Sequence, residues 1–188
     1  MKKKFKTILV TCVCLLFANC SFSQYWYLLG TQGFSTSVAE NTSIAISPSS
    51  HEPYVIFKNP ANFYKASVMK FNGSGWVSVG ASGFSASYAN YPAIAFNPTT
   101  NEPYVLYGDG ALGYKATVMK FNGTSWVNVG STGFSQGGSF FNTISFNPAT
   151  SEPYLSYRDA ANSKKTKVKR FKGTNWVIVR FPGFYKGR

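Results

Sequence analysis

Trp76-Val77-Ser78-Val79-Gly80-Ala81-Ser82-Gly83-Phe84-Ser85 returns fifty residues later as Trp126-Val127-Asn128-Val129-Gly130-Ser131-Thr132-Gly133-Phe134-Ser135. A looser copy starts at Trp26 and a worn one at Trp176, so the four tryptophans keep a constant step of fifty. Other positions keep the same step: Pro48, Pro98 and Pro148; Glu52-Pro53-Tyr54, Glu102-Pro103-Tyr104 and Glu152-Pro153-Tyr154. Phe71-Asn72-Gly73 returns at Phe121 and becomes Phe171-Lys172-Gly173. A fixed period marks one supersecondary unit that has been copied, and a period of roughly 40–50 residues built from short strands and turn residues predicts propeller blades rather than a helical solenoid.

Four strands are expected between consecutive tryptophans, for example over 93–96, 103–107, 116–121 and 126–129. Each is short, rich in β-branched and aromatic residues, and fenced by Gly, Pro, Asn or Ser. Both parities along them are apolar: Ile94 and Phe96 but also Ala95, Tyr104 and Leu106 but also Val105 and Tyr107. Such strands belong to a sheet covered on both faces, as stacked blades are. Asn72-Gly73 and Asn122-Gly123, a pair able to take positive φ at both positions, predict a tight hairpin between third and fourth strands. The longer links, 108–115 and 130–143, fall on one face of a meandering sheet, the natural place for binding. The expected fold is all-β: a partial β-propeller of about three four-stranded antiparallel blades plus one stray N-terminal strand at 25–29.

The start of the chain reads as export machinery. Lys2, Lys3, Lys4 and Lys6 precede an apolar run over 8–18 that is too short to span a bilayer, so 1–23 is expected to be a cleaved signal peptide. Cys20, just after that run, offers an alternative as a lipid-anchored residue. Residues 24–188 then form the repeat region, with units of about 26–75, 76–125 and 126–175 and a degenerate start of a fourth at 176–188. A secreted, periplasmic or cell-surface location follows, with no nucleic-acid partner and no transmembrane helix once the leader is removed. Cys12, Cys14 and Cys20 are the three cysteines. The mature chain is therefore expected to lack disulfides and cysteine metal sites. The net charge of +13 is uneven. Four of the 19 basic residues lie in the leader and ten between Arg158 and Arg188, leaving a body close to neutral.

These residues resemble the repeats of secreted bacterial β-propeller proteins, similar in layout to kelch repeats and to the Asp-box propellers of sialidases. Gly123 and Trp126 match the Asp-box turn, but Phe121 stands where the aspartate would be, so the likeness supports the turn and not sialidase activity. By analogy of fold, the resemblance implies a non-catalytic module for binding or adhesion, with an extracellular glycan or protein as ligand. Open blade faces add self-association to complete a ring, or a shortened propeller, as expectations. The alternative is a glycoside-processing propeller, for which Glu40 is the one non-repeated acid.

Candidate ligand-binding residues come from the long loops. Asp109 and Asp159 share a position with Asn59, and Lys115 and Lys165 follow six residues later, together offering an acceptor and a cation per blade. Ser85 and Ser135 open the other long loop. Glu52, Glu102 and Glu152 repeat with Pro and Tyr attached and read as turn acceptors, since catalysis needs differently tuned groups at one locus. His51, replaced by Asn101 and Ser151 in the other repeats, reads as a surface residue. No cofactor, metal site or catalytic triad is expected.

Overall fold

The structure, a computed structural model, describes residues 26–179. The signal peptide, the Cys20 alternative and the tail from Arg180 lie outside the described residues. Within them, three four-stranded antiparallel sheets follow one another in sequence order. Blade 1 is β1 (Glu40–Ile46), β2 (Pro53–Asn59), β3 (Lys65–Phe71) and β4 (Trp76–Ser78). Blade 2 is β5 (Ala89–Phe96), β6 (Pro103–Asp109), β7 (Lys115–Phe121) and β8 (Trp126–Asn128). Blade 3 is β9 (Ser139–Phe146), β10 (Pro153–Asp159), β11 (Thr166–Lys172) and β12 (Asn175–Ile178). β5 packs on β1 at one side and on β9 at the other, which puts the first strands at the centre of the arc and the short fourth strands at its rim. The fold is a three-bladed partial β-propeller.

Alternation along each strand sends neighbouring residues to opposite blades. Val105 of β6 faces Ile56, Val68 and Val79 of blade 1, while Leu106 faces Leu155, Tyr157 and Ile144 of blade 3. Both are fully buried, which explains why both parities are apolar. Each such side chain contributes about 1.5–3 kcal/mol on burial.

The repeated tryptophan closes every junction. The indole N–H of Trp126 donates to the Val79 carbonyl, that of Trp176 to Val129, and that of Trp76 to Leu29, each at 2.9 Å. Phe84 stacks on Trp126 at 4.4 Å between centroids, and Phe34 and Phe134 do the same on Trp76 and Trp176. Gly80 lies between, with φ +70°, and a Cβ there would sit 2.8 Å from the Phe121 ring. The quoted motif is thus the outer strand of one blade and the wedge that seats the next.

Two expectations need correction. Residues 26–29 are not a strand. A fourth-position strand draws its hydrogen bonds from a third strand, as β4 does from β3, and no described third strand lies beside 26–29. Leu29 still fills the acceptor place held by Val79 and Val129. The Asn-Gly links are four-residue loops rather than two-residue turns, because Phe71 pairs with Trp76. Only Gly73 and Gly123 take positive φ there, while the Asn72 side chain accepts from the Ser74 and Gly75 amides at 3.1 and 3.0 Å.

The two end faces differ in chemistry. Blade 1 exposes Ile44 and Ile46 at 62% and 55%. On blade 3, the face that would meet a further blade carries Thr143, Ser145, Ser156 and Thr166 where blade 2 has Ala93, Ala95, Leu106 and Ala116. The charges added to β11 are also accounted for. Lys167 lies 2.5 Å from Asp159, Lys169 donates to the Phe134 and Trp176 carbonyls at 3.3 Å, and Arg170 reaches Glu152 at 3.3 Å. Burial, with Lys167 alongside, pushes the Lys169 ammonium below its ordinary range. The hydroxyls belong to a solvated end face, whereas Lys167 and Lys169 lie on the opposite side of the sheet with Leu155 and Tyr157, toward blade 2, where these partners satisfy them.

Trp126→Ala should cost about 3–5 kcal/mol in urea unfolding, whereas Trp76→Ala, more exposed, should cost less than half as much. Ser156→Leu restores an apolar residue on the blade 3 face opposite the apolar blade 1 end. Sedimentation should show head-to-tail association at micromolar concentration that the parent chain lacks.

Candidate functional site

Because each sheet meanders, the β2–β3 loops and the blade-to-blade links share one face of the arc, and the β1–β2 and β3–β4 loops share the other. The residues singled out on the long-loop face are placed as follows. Asp109 is 2% exposed, and its carboxylate accepts from the Ala111 amide at 3.0 Å, capping the 3-10 turn Gly110–Leu112. Asn59 and Asp159 do the same for Ala61 and Ala161. These side chains shape the loops from within. Lys115 pairs with Asp109 in the β6–β7 ladder, and Lys165 is exposed on its loop. Asp159 pairs with Lys167, not with Lys165.

Ser85 and Ser135 are buried. Their hydroxyls accept from the Ala66 and Ala116 amides at 2.9 and 2.8 Å and donate to the Ser87 and Gly137 carbonyls at 2.7 and 2.6 Å. Both capacities are spent inside the link. The repeated glutamates act differently from the expectation: the turn amides go to Asn97 and Asn147, while Glu52, Glu102 and Glu152 pair with Lys70, Lys120 and Arg170. The hydrogen bond from Lys70 holds the Glu52 carboxyl below its usual range. His51 sits exposed at φ 58°, in the left-handed turn position that Asn101 and Ser151 share.

What brings chemistry together is a feature the strand pattern did not reveal. Each first strand begins with a β-bulge: the register slips between Glu40 and Ser43, between Asn90 and Ala93, and at the matching place in β9. The bulged residues Asn41, Tyr91 and Phe141 have φ of 51°, 48° and 52°. Asparagine tolerates this region, but tyrosine and phenylalanine are strained in it, and strain of this kind gathers at functional sites. A bulge also bends the strand and re-aims its side chains. Here it turns them toward a 230 Å³ cavity at the centre of the arc, lined by Asn41, Thr42, Ser43, Tyr91, Pro92, Phe141 and Asn142. Asn142 ties the bulges together, its amide donating to the Asn90 and Tyr91 carbonyls at 3.3 and 3.0 Å. Its buried Oδ1 has no partner.

Aromatic rings and an ion pair cluster about the starts of the first strands. Tyr91 lies 4.7 Å from Phe141 and 5.9 Å from Phe140, and Tyr64 meets Tyr88 edge-on at 5.7 Å. Phe141 is 59% exposed, Tyr88 46% and Tyr64 40%. Glu40 pairs with Lys58 at 3.0 Å, and the Lys58 ammonium lies 4.9 Å from the Tyr64 ring. None of Glu40, Tyr91 or Phe141 is copied between repeats. That divergence inside an otherwise copied unit was the signal available in the sequence. A wider groove of 460 Å³ between blades 1 and 2 opens on the opposite face, but its charged groups, Lys70 and Glu102, belong to an ion pair copied in every blade. Among the described residues no cluster of His, Cys, Asp and Glu could hold a metal ion, and no helix is long and apolar enough to cross a membrane.

No protein-family model matches the chain, and no curated protein sequence does. Solved structures match in fold. A polysaccharide lyase, an ulvan lyase bound to -[GlcA(1-4)Rha3S]-, superposes with a TM-score of 0.54 at 13% identity over 79% of this chain. An exo-β-1,3-galactanase from Clostridium thermocellum gives 0.51 at 11% identity over 81%. A fucose lectin from Kordia zhangzhouensis gives 0.49 at 10% identity over 74% of this chain and 98% of the lectin. The chain spans 40% of the lyase and 39% of the galactanase. The lyase and the galactanase share the fold of this chain. Since it is shared with glycan-cleaving enzymes, the expectation of a non-catalytic chain is overturned.

Asp109→Asn should stabilise the protein. Burial raises the Asp109 pKa, so the folded chain holds this proton more tightly than the unfolded one, and stability falls as pH rises through the unfolded value. Asparagine, present at this position in blade 1, carries no such penalty. Thermal melts should show a gain of about 1 kcal/mol at pH 7 that shrinks toward pH 4.

Proposed function

We propose that this chain is a carbohydrate-active propeller module that receives a glycan strand at the cavity where its bulged first strands converge. The observation that carries this reading is the set of three bulges, two of them strained at Tyr91 and Phe141, that gather Asn41, Tyr91 and Phe141 around one opening. The lining suits a sugar. Exposed rings offer flat apolar faces to the C–H surface of a pyranose, while Asn41, Thr42 and Ser43 offer amide and hydroxyl groups to its oxygens. The unpartnered Asn142 Oδ1 is placed to accept from a sugar hydroxyl. To Glu40, the non-repeated carboxylate that precedes Asn41 and pairs with Lys58, we assign proton transfer. The glycan-cleaving proteins that share the architecture support this reading, as does a basic and apolar N-terminal stretch of the kind that directs export.

The test combines a glycan array with incubation of soluble polysaccharides, followed by chain-length analysis. Phe141→Ala should weaken array binding about tenfold, in the range expected for loss of an aromatic anchor. Glu40→Gln should stop chain shortening while binding persists. A folded protein that neither binds nor shortens any neutral or acidic glycan would rule the reading out.

A further inference from the structure

We infer that the rim holds an oxyanion subsite built on Arg158, selecting glycans that carry a carboxylate or a sulfate ester; this rests on the glycan reading above. The second strands end, at the long-loop face, in three equivalent positions: Lys58, Gly108 and Arg158. Across the ladder they face Glu40, Asn90 and Phe140. In blade 1 the cation is neutralised, with Glu40 at 3.0 Å from Lys58. In blade 2 no side chain fits at all, because a Cβ on Gly108 would meet the Ser139 and Tyr114 carbonyl oxygens at 2.9 Å. In blade 3 an aromatic ring replaces the acid, so the guanidinium of Arg158 has no carboxylate opposite it.

Arg158 is held for contact with something else. Its guanidinium carbon lies 5.0 Å from the Phe140 ring centroid and 4.9 Å from that of Phe141, the strained and exposed bulge residue that lines the cavity. Its Nε is buried without a hydrogen-bond partner. Two rings at this distance hold the guanidinium by cation–π attraction and take up none of its N–H donors. A rigid fork with unpaired donors suits the paired oxygens of a carboxylate or sulfate. Asn142, adjacent to Phe141, supplies an acceptor for a neighbouring hydroxyl.

The experiment measures affinity by calorimetry for three size-matched oligosaccharides: neutral, uronate-containing and sulfated. One or both anionic forms should bind the wild type about 10- to 100-fold more tightly than the neutral one, as a charge-assisted bond implies, and added salt should weaken the anionic forms alone. The two anionic arms identify which oxyanion is taken. Arg158→Gln should bring the ratio of anionic to neutral affinity toward one, and Arg158→Lys should leave it in between. Equal affinity of the wild type for all three, or an Arg158→Gln ratio unchanged from wild type, would overturn the subsite while leaving the glycan reading intact. Absence of binding in every arm would overturn both. The wild-type comparison and its salt dependence decide the matter even where the variant fails to fold.

Discussion

The indole N–H of one blade bound to the carbonyl that ends the outer strand of the blade before it is the contact on which this architecture depends. It joins residues 47 positions apart, at Trp76, Trp126 and Trp176, and fixes both the spacing and the tilt of neighbouring sheets. A buried indole without an acceptor would be costly, so the junctions at Trp126 and Trp176 depend on the link that precedes each. The glycine that lets Phe121 approach and the phenylalanine that stacks on the ring serve the same joint. No cysteine lies between residues 26 and 179, so such packing alone holds the described blades in line.

Repetition explains why the fold was readable. Blade strands, the burial of both faces and the side on which the long loops gather all follow from a fifty-residue period and the alternation of Val105 with Leu106. Residues 26–29 were misread because the motif marks a position in the arc, not a hydrogen-bonding partner. The Asn-Gly turns were misread because Asn72 uses its side chain, rather than a positive φ, to close the loop.

The site was harder to read for a related reason. Periodicity emphasises what is copied, and the candidates it supplied, Asp109, Asp159, Ser85 and Ser135, are copied because every loop needs the same cap or clasp. Lys115 and Lys165 are copied opposite Asp109 and Asp159 along the backbone, with neither ammonium paired to that aspartate. The cavity instead lies where copying fails, at Asn41, Tyr91 and Phe141. A bulge leaves little trace in a strand pattern, since one extra residue shifts the alternation without removing it. Side-chain divergence at equivalent positions is the better guide, and it points to Glu40 and Phe140 as well.

The contrast between the two end faces gives the arc a direction. Water solvates the hydroxyls of Thr143, Ser145 and Ser156 at little cost but gains nothing from Ile44 and Ile46. An incoming sheet would therefore gain most at the blade 1 end, since at the other end it would cover Val168 but strand the surrounding hydroxyls away from solvent. Growth of such a stack is one-way, which makes the blade 3 side a stop against fibre formation.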